Sequence, residues 1–330
     1  MFSQLIVVFA ILSVASAKLF NEDAKFQKYM WENFKREHAK NYASMDEENR
    51  RFNIFIENLQ MADLRNEREL KNGGNEVHGI TKFSDMSQVE FESNFLTADA
   101  KMKTNSAPVD NTVRPEPNVN LGLVDWSGKL TTPVKDQGYC GSCWAFSATE
   151  QIESDYMREH GATYVLSAEQ ITQCTTGSSG CNGGWTESAY TYVQREGGLE
   201  TESDYPYTSY QGITGQCHDG GDYKVGITGY STLKGESNMA SYVQSTGPLS
   251  VCLDASSWNS YHGGIMTSCG NRVDHCVQAV GVDTSIVGGY WKVRNSWGTS
   301  WGESGYIRLA YGQNTCDITN DPTYVKTVKA

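Results

Sequence analysis

The chain reads as an α+β protein with a helical leading segment, on three observations. All nine cysteines lie between Cys140 and Cys316, so residues 18–118 form a cysteine-free unit. Within the cysteine-bearing part, helix-period patterns come early and strand patterns late, a segregated order that suits α+β rather than alternating βαβ units. The 330 residues leave room for roughly two domains of about 150. An apolar fraction of 38% with 32 glycines excludes a coiled coil or a disordered chain. A net charge of −12, from 27 basic and 39 acidic residues, argues against a large nucleic-acid-binding face.

The elements follow in order. Residues 1–17 carry a short apolar run ending in Ala15-Ser16-Ala17, which reads as a secretory signal peptide. Nothing further along is apolar enough to span a bilayer, so no membrane contact is expected once that segment is removed. Entry into the secretory pathway implies an oxidising environment and disulfide-bonded cysteines. No Asn-x-Ser/Thr sequon occurs. Residues 21–70 lack Pro and Gly. Phe26, Tyr29, Met30 and Phe34 recur at helical spacing, and a second helical run from near Met45 carries Phe52, Phe55, Ile56, Leu59 and Leu64 on one stripe. Gly73-Gly74 ends it. Residues 77–83 read as a short strand. Residues 101–120, with three prolines, have a linker composition and no evident means of burying apolar surface. In the third segment, helices are expected over 143–160, over 167–174 behind a Ser167/Gln170 capping box, and over 185–195. Strands are expected over 249–253, 275–282, 290–294 and 305–309.

Chemistry concentrates in a few blocks. Cys140-Gly141-Ser142-Cys143-Trp144 is followed by a run without Gly or Pro, so Cys143 would open a helix. A free thiol has a pKa near 8.5, and the unpaired N–H groups and dipole of a helix N-terminus favour its thiolate. A facing imidazolium would lower that pKa further and later protonate a leaving amine. His275, 132 residues beyond Cys143, opens an apolar run that reads as a buried strand; Asn295, 152 beyond, opens Asn295-Ser296-Trp297-Gly298. A zinc site is not indicated, because the cysteines offer one C-x-x-C and the six histidines do not cluster.

These blocks, in this order and spacing, resemble the papain family of cysteine proteases, in layout the cathepsin L-like members, from about Asp125 to Cys316. The resemblance implies a papain-like two-subdomain fold, a helical half plus a β-barrel-like half, with the site in the cleft between them. It implies Cys143 as nucleophile, His275 as acid and base, Asn295 holding the imidazole, and Trp297 covering that hydrogen bond. Gln137 and the Cys143 N–H would stabilise the oxyanion. No cofactor is implied. Gly183 and Gly184 would pair with an extended peptide substrate, near Asp274. Trp185 and Thr186 would line the pocket for the second residue before the scissile bond. Its floor would be Asp321, five residues after Cys316, accepting Arg or Lys as well as bulky apolar side chains. The family pattern pairs Cys140 with Cys181, Cys174 with Cys217, and Cys269 with Cys316. Parity and proximity suggest a fourth bridge, Cys252–Cys276, although eight cysteines formally allow about 105 connectivities.

Residues 18–118 then resemble the inhibitory propeptide of cathepsin L-type proteases. Glu47, Arg51, Phe55, Asn58 and Asn66 fit its helix pattern, with Ala62 where Ile is usual. Gly79, Thr81, Phe83 and Asp85 fit its second block, with Thr81 where Asn is more common. A linker running backwards through the groove would block Cys143, and protonation of carboxylates such as Asp85 would weaken docking in acid. The mature N-terminus is expected between about Val113 and Leu121. The chain is thus expected to be a monomeric cysteine endopeptidase made as a zymogen, partnered by its own propeptide and by extended peptides, and delivered to a lysosome-like compartment or the exterior. Alternatives are a catalytically silent relative with a binding role, or a propeptide acting in trans.

Overall fold

The computed structural model describes residues 18–103, 106–114, 122–218, 220–285 and 287–330. The expected signal peptide and most of the window for the mature N-terminus lie outside the described residues.

The leading segment is two helices packed as a hairpin. α1 (Ala24–Glu37) starts where Asp23 accepts from the Lys25 N–H. α2 (Met45–Lys71) starts where Ser44 accepts from the Glu47 N–H, with Asp46, Glu47 and Glu48 in its first turn and Arg68 and Lys71 in its last, as the helix dipole favours. Trp31, Phe34, Phe55 and Leu59 bury the contact between them. The expected stripe is only partly right, because Leu64, Phe26 and Tyr29 are exposed. Beyond Leu59 the face of α2 that turns inward carries Ala62, Asn66 and Glu69 instead. The expected strand over 77–83 reduces to one isolated bridge, His78 with Tyr261. The reason is a side chain: Asn66 Oδ1 accepts the N–H groups of Val77 (3.0 Å) and His78 (2.8 Å), and its Nδ2 donates to the His78 carbonyl (2.8 Å), satisfying backbone that a strand partner would otherwise take. A short helix not anticipated from sequence, α3 (Gln88–Phe95), follows a Ser87/Glu90 capping box.

The third segment is organised around α4 (Cys143–His160), buried along most of its length and ended by Gly161 in the left-handed region (φ 68°). α5 (Ala168–Cys174), capped by the Ser167 hydroxyl, and α6 (Thr186–Glu196) pack beside it. Trp144, Ile152, Tyr190 and Val193 form this helical core. The other half is sheet. β1 (Leu123–Asp125), β2 (Val225–Thr232), β3 (Leu249–Leu253), β4 (Ile265–Met266), β5 (His275–Asp283), β6 (Tyr290–Arg294), β7 (Tyr306–Ala310) and β8 (Thr323–Lys329) run in the order β2-β8-β3-β5-β6-β7-β4, with β1 paired to β5. Pairing is antiparallel except between β4 and β7. α7 (Glu236–Ser245) packs on β5. α7, β1, β2, β4 and β8 had no clear pattern in the sequence, being short, half-exposed or mixed in period. Leu249, Val251, Val277, Trp291 and Val293 build the sheet core, which Phe83, Phe91 and Phe95 of the leading segment join.

A polar seam joins the halves. Arg294 is fully buried; it donates to the Thr132 carbonyl at 2.7 Å and to Gln278 Oε1 at 2.7 Å, and lies 3.4 Å from Glu150 on α4. Disulfides join Cys140 to Cys181, Cys174 to Cys217, Cys252 to Cys276 and Cys269 to Cys316. The Cys252–Cys276 bridge staples a directly opposed pair of β3 and β5. No helix among the described residues is long and apolar enough to cross a membrane. No group of three His, Cys, Asp or Glu side chains among them is arranged to hold a metal ion.

Candidate active site

The ninth cysteine, Cys143, is free, and it is the first residue of α4. What places it there is the preceding loop. Cys140 is bridged to Cys181, and the Gly141 N–H donates to the Cys181 carbonyl at 2.9 Å. A Cβ on Gly141 would lie 2.5 Å from that carbonyl oxygen, so the close approach needs glycine. Ser142 caps the helix with its carbonyl, which accepts from Ala145 (2.8 Å) and Phe146 (3.1 Å). The N–H groups of Trp144, Thr97 and Cys276 point at the sulfur.

His275 opens β5, next to Cys276, so pairing of β5 with β3 brings it to the same end of the cleft. Its Nε2 is 2.8 Å from Asn295 Oδ1, leaving Nδ1 for another partner. Asn295 follows directly on β6, and its N–H donates to the Gly305 carbonyl at 3.0 Å. The Trp297 ring lies 4.8 Å from the imidazole, tilted 32°, over the imidazole–amide pair. Gln137 is wholly buried. Its Oε1 accepts from Ser296 Oγ at 2.6 Å, so the amide is turned with Nε2 toward the Cys140 carbonyl (2.8 Å) and the Phe95 carbonyl (3.5 Å).

The groove beside these groups is filled by the leading segment. The Ala98 N–H donates to the Asp274 carbonyl at 3.0 Å, and the Asp99 N–H to the Gly184 carbonyl at 3.2 Å. Ala98 and Gly184 pair in the parallel sense. A Cβ on Gly184 would lie 2.4 Å from the Trp144 ring, and one on Gly183 2.3 Å from the Thr97 carbonyl oxygen. Two sequence expectations are corrected here. The residues over Cys143 are 95–98, upstream of the linker 101–120. Nor is the described part of that linker loose, since Ala107 is buried and Val109 bridges Thr232.

Burial under this roof decides the protonation of both groups. Desolvation pushes the Cys143 thiol up to about 12, against the three N–H groups that favour the thiolate. Desolvation likewise pushes His275 down to about 4, with Asn295 and the Phe95 carbonyl opposing. Burial therefore disfavours the charged form of each group while the leading segment covers them. Asp274 is raised to about 7, first by burial, although it accepts the Ala255 N–H at 2.9 Å.

At the next position along the groove, the Trp185 indole N–H is shared between Asp321 Oδ2 (2.7 Å) and Glu187 Oε2 (3.0 Å). Thr186 Oγ1 lies 4.0 Å from Cys252 Sγ. Sequence reading singled out Trp185, Thr186 and Asp321 but missed Glu187. In sequence it is an acid in the first turn of a helix, which the dipole alone explains.

The leading segment is anchored by charge as well as by apolar contact. Glu69, fully buried, accepts from the Thr267 N–H (2.7 Å), Thr267 Oγ1 (2.6 Å) and the Ser268 N–H (2.9 Å). Arg65 donates to Asn259 Oδ1 (2.6 Å) and Ser260 Oγ (2.7 Å). The Trp297 ring lies 5.3 Å from the rings of both Phe83 and Phe91. Within the segment, Arg51 pairs with Glu47 and Glu90, Asn58 donates to the Ser84 and Met86 carbonyls, and Asp85 takes Lys40 and Tyr42.

Residues 122–326 match the papain family cysteine protease profile, and residues 31–91 match the cathepsin propeptide inhibitor domain. This chain belongs to the papain family of cysteine proteases. It is 38% identical over 299 residues to cysteine proteinase A of Leishmania mexicana, covering 88% of this chain and 82% of that one. It is 36% identical over 315 residues to cathepsin L of Sarcophaga peregrina, covering 90% and 92%. Among solved structures, digestive procathepsin L 3 of Tenebrio molitor larval midgut superposes with a TM-score of 0.77 at 31% identity, over 91% of this chain and 99% of that one. The leading segment is thus a cathepsin-type propeptide, and the fold is papain-like, in zymogen form.

Proposed function

We propose that this protein is a secreted cysteine endopeptidase, released by removal of an inhibitory prosegment spanning about residues 18–118 from a peptidase domain of 119–330. The observation that carries the reading is the packing of residues 95–99 in the groove. An extended backbone is held there by Asp274 and Gly184 directly over a free cysteine at a helix N-terminus, with a carbonyl facing the Gln137 amide.

With the prosegment gone, water returns to the cleft and the opposing desolvation is relieved. The helix N-terminus then favours a Cys143 thiolate and the Asn295 contact favours an imidazolium at His275. The thiolate attacks the scissile carbonyl carbon, and the oxyanion takes hydrogen bonds from Gln137 Nε2 and the Cys143 N–H. His275 gives its proton to the leaving amine as the carbon–nitrogen bond breaks, leaving a thioester. Water then attacks that thioester, with His275 taking its proton, and the acid product and the thiolate are released. Asn295 fixes the ring orientation and Trp297 keeps water from their bond. The prosegment escapes cleavage because its parallel pairing with Gly184 presents the chain in the opposite sense to a substrate.

The secretory route rests on residues 1–17 and on the four disulfides, which suit an oxidising compartment, lysosome-like or extracellular. A monomer acting on extended peptides is the working form. The test is hydrolysis of a fluorogenic peptide by the acid-converted protein, with active sites counted by an epoxide thiol reagent. Activity proportional to the titrated thiol, and absent in Cys143→Ala, is expected. A titratable thiol without hydrolysis would favour the silent alternative.

A further inference from the structure

The groove already contains a ligand for the pocket beside Trp185. Lys103 of the prosegment places Nζ 2.6 Å from Glu187 Oε2 and 3.3 Å from Asp321 Oδ1. Its backbone is held on both sides, by Ser188 Oγ donating to the Met102 carbonyl and by the Ala107 N–H donating to Glu187 Oε1 at 2.7 Å. The side chain is thereby aimed into the pocket rather than draped across its rim. Both acids are nearly inaccessible, with side-chain exposures of 0% for Glu187 and 6% for Asp321, whereas Lys103 retains 25%.

We infer that Glu187 and Asp321 together form a receptor for one cationic side chain, filled by Lys103 in the zymogen and by a lysine or arginine of the substrate in the active enzyme. The inference rests on the peptidase reading above and adds Glu187 as a specificity-determining residue. It also sharpens the sequence expectation, in which Asp321 alone accepted basic and apolar side chains alike.

The donors available to the two carboxylates set the preference. Among the described residues, the two carboxylates in the zymogen share Lys103, the Trp185 indole N–H and the Ala107 N–H. Two of these three leave with the prosegment. The indole N–H then remains between two carboxylates that it bonds simultaneously at 2.7 and 3.0 Å. Like charges that close, in a pocket walled by Trp185, are unfavourable unless a cation or a proton joins them. A basic side chain restores the lost partner; an apolar one seals the pair from water and leaves it unpartnered, which is the costlier state. The pocket therefore discriminates by charge, and does so through the pair rather than through Asp321 alone.

The experiment uses the full chain, converted in acid, with active sites titrated by the thiol reagent so that misfolded material is not counted. Three fluorogenic peptides differing only in Arg, Lys or Phe at the second residue before the scissile bond are compared for wild type, Glu187→Gln and Asp321→Asn. Wild type is expected to prefer Arg and Lys, and each neutral isostere is expected to cut the Arg-to-Phe ratio of kcat/KM by about tenfold or more. The double variant should favour Phe. A Glu187→Gln ratio equal to wild type, with Asp321→Asn alone altered, would overturn the inference while leaving the peptidase reading intact. Hydrolysis of none of the three peptides at full thiol titre would instead sink the peptidase reading, and the inference with it. As an independent check, Lys103→Gln in the full chain should hasten conversion at neutral pH. An unchanged rate would mean that the pair does not recognise the lysine, and would also overturn the inference.

Discussion

Protonation of His78 should weaken docking of the prosegment in acid. The His78 side chain is 1% exposed, wedged between the prosegment and the loop before β4, with Nδ1 2.9 Å from Ser260 Oγ. Burial, and then the nearby Arg65 and Arg68, push its pKa from 6.5 down to about 3. The undocked prosegment would return it to about 6.5. The docked form is therefore the one that resists protonation: docking is at full strength above pH 6.5 and is lost as pH falls from 6.5 toward 3. With the undocked ring already half protonated at pH 6.5, acidification to pH 4.5 costs about 2.3 kcal/mol, roughly fiftyfold in the docking constant. Glu69 Oε1, 4.0 Å from Nε2, would partly stabilise the cation, so this figure is an upper bound. The perturbation is His78→Gln, which keeps a polar partner for Ser260 and removes the titration. The assay is amide hydrogen exchange of residues 77–81 in the full chain carrying Cys143→Ala, so that no self-cleavage intervenes. Protection, corrected for intrinsic exchange, should fall by up to about fiftyfold between pH 6.5 and 4.5 in the His78 chain and by much less in the His78→Gln chain. Equal pH dependence in both would refute the argument.

Other outcomes follow from the same geometry. Glu69→Gln loses charge-assisted acceptance from Thr267 and Ser268; at about 1.5–3 kcal/mol for a buried charged hydrogen-bond partner, prosegment protection at neutral pH should drop at least tenfold. Gln137→Ala in the converted enzyme should lower kcat by about 10²–10³ with the thiol titre unchanged. Alkylation of Cys143 at pH 7.5 should be far slower in the intact zymogen than after conversion, because the covered thiol is pushed up to about 12; equal rates would show that the prosegment does not shield it. Replacing Cys252 and Cys276 by serine opens a bridge of sequence separation 24. That should lower stability by about 3 kcal/mol, read as a fall in Tm, with peptide mapping confirming the other three bridges.

Helices and motifs were legible where the information is local. Absence of Gly and Pro after Cys143, and the 3.6-residue recurrence of apolar side chains, specify α4 to its end residues, and the strands over 249–253 and 290–294 likewise match. The candidate Cys, His and Asn blocks were legible through their resemblance to the papain family, and the structure sets the thiol at a helix start and the imidazole at a strand start. Residues 77–83 misled because a distant Asn66 amide took the backbone groups that period-2 patterning assigns to a strand partner. Leu64 misled because the buried face of a long helix is chosen by what packs on it, here Thr267 and Ser260 against Glu69 and Arg65, not by apolarity alone.

Composition and periodicity along the chain thus dictated the cysteine-free helical leader and the helix that presents Cys143, because backbone propensity and helix-end electrostatics act over a few residues, whereas the candidate reacting groups were singled out by their resemblance to the papain family. The convergence of Glu187, Asp321 and Lys103 in one pocket, the seating of residues 95–98 over the thiol, and the desolvation of Cys143 and His275 beneath them were set by folding alone. Desolvation and carboxylate–ammonium pairing depend on which remote segments exclude water from one another, and no local pattern encodes that.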